Sequence, residues 1–176
     1  IIQGENHVNT IPEGLKSLDA TIIPSGQSSY FIDNVGLFPS VTPKALVTTH
    51  PLMGLDWILD IWIKYIHTKL PWAELHIYSN IIHKALLGEA VPEVYDIIVK
   101  KVEQNLSYNI KVNAPKVDKV FIEEIKDIRV HLYSSHKFEV SSFSLAETQA
   151  LGMPAIARPL GSATEKIYNG KTGFIA

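Results

Sequence analysis

Short β-rich runs alternate with helical runs along most of this chain, and that alternation constrains the fold more than any other feature. Residues 44–49 (KALVTT) read as a strand. Residues 55–70 read as a helix, with Leu55, Ile58, Leu59, Trp62, Ile63 and Ile66 at three- and four-residue steps and Pro71 as its stop. Strands are expected at 74–78 (ELHIY), 108–112 and 128–133, with helices at 81–87, 93–106 and 117–125 between them. A helix over 143–151 meets Gly152 and Pro154, a strand covers 155–157, a short helix 163–168 and a last strand 174–176. Strand–helix–strand units pair their strands in parallel, so the expected fold class is α/β, a doubly wound parallel sheet. Such a sheet takes its ligand outside the carboxyl ends of the strands, which points to the loops after Thr49, Tyr78, Val112 and Tyr133. The first 42 residues are less regular, with a short candidate strand at 20–24 (ATIIP) followed by Ser25 and Gly26.

With 176 residues and 46% hydrophobic content the chain can bury a core as one compact unit. A formal charge of −2 leaves no basic face to displace counterions along a phosphate backbone, which argues against a nucleic-acid partner. The absence of Cys removes disulfides and thiolate metal sites and fits a reducing cytoplasm, the expected location. No apolar run reaches spanning length, and a first residue Ile1 in place of Met leads us to expect a fragment.

The chemistry concentrates in the run from Glu139 to Ala176, EVSSFSLAETQALGMPAIARPLGSATEKIYNGKTGFIA. A helix starting near Ser142 leaves its first amides without intrahelical partners at the positive end of the dipole. A diphosphate could therefore bind the backbone of Ser142, Phe143 and Ser144 without a basic side chain. Glu147 falls about one turn in, where a carboxylate can accept hydrogen bonds from adjacent ribose hydroxyls, and Glu139 stands in the preceding loop. Two Glu at this spacing also occur on solvated helix faces. The seven His are scattered, with no pair at metal-ligand spacing on one helix face, so no metal site is expected. His76 and His131 fall within strands and read as satisfied core residues. His136 and Lys137 precede Glu139 in its loop and are placed to face a ligand. Trp57, Trp62 and Trp72 cluster around one amphipathic helix and read as core packing. The NGKTG at 169–173 lacks the spacing between glycines of a phosphate loop and precedes a strand, so a Walker-type nucleotidase is rejected.

The ordered set Glu139, Ser142-Phe143-Ser144-Leu145, Glu147, Ala150-Leu151-Gly152-Met153-Pro154-Ala155, Gly161-Ser162, Glu165 and Asn169-Gly170-Lys171-Thr172-Gly173-Phe174 resembles the C-terminal, donor-binding domain of retaining glycosyltransferases of the GT-B fold, family-4-like (glycosyl transferases group 1). The resemblance implies a Rossmann-like half of a GT-B fold over 43–176, with residues 1–42 as interdomain connection and peripheral segment and an N-terminal acceptor domain absent. It implies a sugar moved from a nucleoside-diphosphate sugar to a hydroxyl acceptor, glycan or lipid-linked, without a metal or other cofactor, in polysaccharide biosynthesis. Peripheral membrane association would run through the missing domain. Under this reading Glu139 contacts the donor sugar and Glu147 the ribose. Ser142, Phe143, Ser144 and Gly54 present backbone to phosphate, Gly161 shapes the neighbouring wall, and Asn113 lies near the base. In THPLMGLDWILDIW, residues 49–62, the family pattern calls for Arg where Met53 stands, so His50, Lys137 or Lys166 would have to supply the phosphate contact. Two alternatives stay open: a noncatalytic nucleotide-sugar module with a decayed phosphate site, and a sugar-nucleotide epimerase on the same fold.

Overall fold

The computed structural model describes residues 2–15 and 21–176. In chain order its elements are α1 (Glu5–Asn9), α2 (Ser29–Asp33), β1 (Lys44–Val47), α3 (Leu55–Ile61), β2 (Glu74–Tyr78), α4 (Asn80–Leu86), α5 (Asp96–Gln104), β3 (Ile110–Asn113), α6 (Asp118–Ile125), β4 (Val130–Tyr133), α7 (Phe143–Ala150), β5 (Ala155–Ala157), α8 (Ala163–Lys166) and β6 (Gly173–Ile175). The strands form one parallel sheet in the order β3-β2-β1-β4-β5-β6. The doubly wound α/β class expected from the alternation is the one observed.

Both faces of the sheet are covered, and β1 accordingly reads as an apolar run after Lys44, while β2 and β4 carry His76 and His131 among apolar residues. Ala45 and Val47 of β1 face one core with Leu55, Ile58, Leu59 and Trp62 from the α3 side and Ile82, Ile98 and Val102 from α4 and α5. Leu46 points the other way, into a core with Phe31 of α2, Ile122 and Ile125 of α6, and Leu151 and Met153 beyond α7. A third cluster under α7 and α8 holds Tyr133, Leu145, Ala155, Ala157, Ala163 and Ile167.

The segment before the sheet is more tightly bound than its composition implied. Phe31 is buried in the second core. The amides of Gly36, Phe38 and Ser40 donate to the carbonyls of Leu151, Lys126 and Asp127 at 2.8–3.2 Å, which lays residues 36–40 along the ends of α6 and α7. The strand expected at 20–24 is reduced to a bridge between Ile22 and Ile2, and Ala20 lies outside the described residues.

Several boundaries differ from expectation. The α-helix expected at 55–70 ends at Ile61 and continues as a π-helical turn over Trp62–Ile66, where the amide of His67 reaches back to the Trp62 carbonyl at 2.8 Å. The wider turn accommodates Trp62, which is buried and donates its indole N–H to the Tyr108 carbonyl at 2.9 Å. Trp72 is 58% exposed and Trp57 only partly buried, so the core-packing expectation holds for Trp62 and fails for Trp72. The helix expected at 93–106 opens with a 3-10 turn at Glu93–Tyr95 before α5, and another follows at Leu106–Tyr108. β1 stops at Val47, two residues short of Thr49, and that shortening frees Thr48 and Thr49 for the loop beyond the sheet edge.

Trp62→Ala removes the largest fully buried side chain and leaves the Tyr108 carbonyl without its donor. Urea unfolding is expected to show a loss of about 3–5 kcal/mol.

Candidate functional site

Strand β1 lies between β2 and β4, and successive crossovers leave it in opposite directions. The loops after β1 and β4 therefore diverge and leave an open crevice at their carboxyl ends. A cavity of about 280 Å³ occupies it, lined by Thr48, Thr49, His50 and Met53 from the first loop and Tyr133, Ser135, His136, Phe138 and Glu139 from the second.

Glu139 is the centre of this site. One carboxylate oxygen accepts from the Tyr133 hydroxyl, while Oε2 is buried without a hydrogen-bond partner. Burial raises its pKa above the ordinary carboxylate range, against the opposing pull of the Tyr133 hydrogen bond and of His136. The hydroxyls of Thr49 and Ser135 in the same cavity wall are likewise buried and unpartnered. Ser135 also holds the left-handed conformation, φ 56°, uncommon for a residue other than Gly, Asn or Asp. Two orphan hydroxyls and one orphan carboxylate oxygen thus line one cavity. Buried polar groups in folded proteins are rarely left unpaired, so these three atoms are candidate contacts for water, an ion or a polar ligand.

Behind the cavity wall runs a buried hydrogen-bond chain. His131 of β4 is fully buried and bonds Thr48 through Nε2 and Thr148 of α7 through Nδ1, both at 2.9 Å. Thr48 in turn donates to the Ser144 hydroxyl at 2.9 Å. The first loop is thereby fastened to β4 and to the start of α7, as the satisfied-core reading of His131 anticipated. His76 is only partly buried and pairs with Glu74 at 2.9 Å.

A second cavity of about 220 Å³ adjoins the first at Thr48 and is lined by Phe31, Tyr78, Pro115, Lys116, Asp118, Phe121 and Glu147. Glu147 lies here and not in the Glu139 cavity. Burial, and then the charge of Asp118, raise its pKa. Asn113 ends β3 at the same sheet edge, with its side-chain amide nitrogen buried and unpartnered.

The other expected site residues are placed as follows. Ser142 is fully buried and bonds Ser162 through its hydroxyl at 2.8 Å, and the Ser144 hydroxyl accepts from Thr48 at 2.9 Å. No side chain caps the N-terminus of α7. Phe143 is half exposed, and none of residues 142–144 lines either cavity. His50 lines the Glu139 cavity with both ring nitrogens engaged, Nδ1 accepting from the Leu52 amide at 3.3 Å and Nε2 bonded to the Tyr95 hydroxyl at 3.2 Å. Lys137 is exposed with its ammonium 4.6 Å from the Phe138 ring centre, and it is absent from the cavity lining, which takes His136 instead. At Gly54 (φ 97°) a Cβ would stand 2.8 Å from the Ser134 Cβ, and at Gly161 (φ 55°) one would stand 2.2 Å from the His136 carbonyl. Both glycines allow loops to close around the site.

Arg158, at the carboxyl end of β5, was missed by sequence reasoning. Its guanidinium donates to the carbonyls of Ser134 and Ser135, stacks 4.9 Å over the Trp57 ring, and lies 2.7 Å from the position a Gly54 Cβ would take. A cation from another strand therefore stands beside Gly54, next to position 53, although it does not line the Glu139 cavity. The available signal was an Arg placed directly after a strand, one of only two Arg in the chain. Among the described residues, no three or more His, Cys, Asp or Glu are placed to hold a metal, and no helix is long and apolar enough to cross a membrane.

No family model matches the sequence, and no curated protein matches it. Solved structures match by shape. Crystal structures of TarM include one with 16% identity to this chain and a TM-score of 0.71, covering 99% of this chain and 32% of that one. A mutant of S. aureus TarM solved with Fondaparinux, alpha-GlcNAc-glycerol and UDP gives 17% and 0.69 over the same shares. The pneumococcal O-GlcNAc transferase GtfA, solved with UDP and GlcNAc, gives 17% identity and 0.64 over 99% of this chain and 33% of that one. The lipopolysaccharide outer core galactosyltransferase WaaB gives 15% and 0.58 over 82% and 39%. At such identities the likeness shows the fold: a Rossmann-like α/β domain similar to part of these glycosyltransferases. The chain spans 32–39% of the length of these structures.

The buried His131 yields a prediction about pH. Burial lowers its pKa from 6.5 to about 3, so between those values the unfolded chain binds a proton that the folded chain refuses. Its contribution to stability is complete above pH 6.5 and is lost as the pH falls through that window, at about 1.4 kcal/mol per pH unit at most. Glu139 and Glu147, whose folded pKa values are raised, act in the opposite sense above the ordinary carboxylate range. Urea midpoints of the native chain and of His131→Gln, which keeps both Glu, are expected to differ in slope by that amount between pH 6.5 and 4.5.

Proposed function

We propose that this chain is the donor-binding domain of a retaining glycosyltransferase, which moves a sugar from a nucleoside-diphosphate sugar to a hydroxyl acceptor without a metal. The observation that carries the reading is the trio of buried, unpartnered polar atoms, Thr49 Oγ1, Ser135 Oγ and Glu139 Oε2, around one cavity at the switch point of the sheet. Two groups able to donate or accept and one able only to accept are the complement of a sugar's neighbouring hydroxyls.

In this reading the sugar occupies the Glu139 cavity and the nucleoside occupies the Glu147 cavity, where Glu147 accepts from ribose hydroxyls. The two spaces meet at Thr48, which places the diphosphate between them. The backbone amides that open α7 form the positive end of the helix dipole, and they would receive phosphate as negative charge develops on the leaving group. The acceptor attacks from the face the diphosphate leaves. Glu139 orients the sugar, and no covalent intermediate is assigned to it. Residues 1–42 serve as interdomain connection and peripheral segment, and a second domain supplies the acceptor site. The UDP in the TarM and GtfA structures makes UDP the first nucleotide to test.

A second reading follows from Met53, whose side chain lines the cavity where the family pattern calls for Arg. It makes the chain a nucleotide-sugar module with a weakened phosphate site and no turnover.

Calorimetric titration with UDP, GDP and ADP separates the two. Saturable binding of one nucleotide is expected, weakened in Glu147→Ala by roughly 1–3 kcal/mol, the range for a hydrogen bond to a charged group. A native chain that binds none of the three, with binding restored by Met53→Arg, would favour the second reading.

A further inference from the structure

The backbone carbonyl of Glu139 is held from two sides. It accepts from the amide of Ser162 at 3.0 Å and from the side-chain amide of Asn6 at 2.7 Å. Asn6 belongs to α1, more than a hundred residues away in sequence, and it too is fixed from across the chain. The Glu165 carboxylate accepts the Asn6 amide at 2.7 Å and the Glu5 amide at 3.1 Å, one oxygen to each. Gly4 permits this approach, since a Cβ there would stand 2.2 Å from a Glu165 oxygen. The same carboxylate residue whose carbonyl is pinned presents its Oε2 to the cavity, buried and unpartnered.

We infer that Asn6 is a positioning residue for Glu139, and that Glu165 serves the site by fixing Asn6. The inference rests on the sugar-binding reading of Glu139 and extends the site to a segment that residue patterns placed outside it. A carboxylate aimed at a ligand hydroxyl is useful only if its backbone cannot swing. The loop after β4 carries no regular structure of its own around Glu139, so its geometry comes from the groups that grip it. Ser162 grips through an amide that any residue but Pro would supply. Asn6 grips through a side chain, and that side chain is therefore the replaceable part. The arrangement also links the chain's N-terminal segment directly to the sugar-contacting residue, so that a displacement of α1 is felt at Glu139.

The test uses the whole chain with carbon-13 carboxyl-labelled Glu, with the Glu139 signal assigned by Glu139→Gln. In Asn6→Ala the loop loosens and admits water, so the Glu139 titration is expected to fall toward the ordinary carboxylate range. Glu147, in its own cavity, is expected to titrate unchanged in the same spectra. Tyr133 and His136 face Glu139 in both proteins and cancel from the comparison. An unmoved Glu139 signal, or a Glu147 signal moving equally, overturns the inference. Should Asn6→Ala fail to fold, Asn6→Leu keeps the approximate shape, removes the donor without adding a charge, and is judged by the same two signals. The binding readout is the ratio of UDP to UDP-N-acetylglucosamine dissociation constants. Asn6→Ala is expected to lower that ratio about fivefold, the worth of one typical hydrogen bond, with UDP affinity itself unchanged. Equal losses for both ligands would also overturn it. A native chain that binds neither ligand counts against the sugar-binding reading, while the titration still decides whether Asn6 positions Glu139.

Discussion

Everything at this site depends on the divergence of the chain at β1 and β4. Parallel strands need crossovers, and crossovers on opposite sides of the sheet pull the loops after neighbouring strands apart. The gap so formed cannot be filled by the fold's own regular elements, and the loops bordering it must find their partners in one another. They do so in layers. Thr48 ties the first loop to His131 and Ser144, the Ser134 hydroxyl reaches the Met53 carbonyl, and Arg158 grips the Ser134 and Ser135 carbonyls from β5. Three strands thereby contribute to one rim, and Gly54 and Gly161 are the points where the rim closes without side-chain obstruction.

What the rim leaves unpaired is as informative as what it pairs. An apolar core position costs nothing to keep dry, whereas a buried hydroxyl or carboxylate oxygen without a partner costs on the order of 1–3 kcal/mol. Five such side-chain atoms are found among the described residues, and three of them line the Glu139 cavity. Scattered orphans would read as imperfect packing. Three around one crevice amount to a local destabilisation concentrated where a ligand would relieve it, which is how binding sites and stability come into conflict. The raised pKa of Glu139 belongs to the same balance, because desolvation disfavours its charged form until a donor arrives.

The alternation of strands and helices was readable because both faces of a parallel sheet must be covered, and the periodicity of the covering helices is local information. The run from Glu139 to Phe174 was readable because its turns, glycines and carboxylates keep their order along the chain. Arg158 and Asn6 were not, since nothing in AIARPL or GENHV says which carbonyl a distant guanidinium or amide will meet. The π turn at Trp62 was equally hidden, because a π turn and an α turn share the same apolar steps and differ only in how a large buried indole is accommodated. Placing Glu147 one turn into its helix was right by periodicity. Its assignment to a cavity separate from that of Glu139 required the third dimension.

The replacement of an expected Arg by Met53 therefore has to be weighed in space. A cation acts through its distance from the charge it compensates, and the strand that delivers it is immaterial. Arg158 stands beside Gly54, but its Nε and one terminal nitrogen already donate to backbone carbonyls. A guanidinium has five N–H donors, so capacity remains beyond those two bonds while its position stays fixed by them and by Trp57. That combination, a charge held still by contacts other than the ligand, is what preorganised electrostatics requires. A lysine at the same place would keep the charge and lose the planar fork and the ring stacking. Fixing the Ser134 and Ser135 carbonyls thus demands Arg at position 158 for a reason separate from any phosphate, and Arg158→Lys should loosen the loop that carries Ser135 even where the net charge of the rim is unchanged.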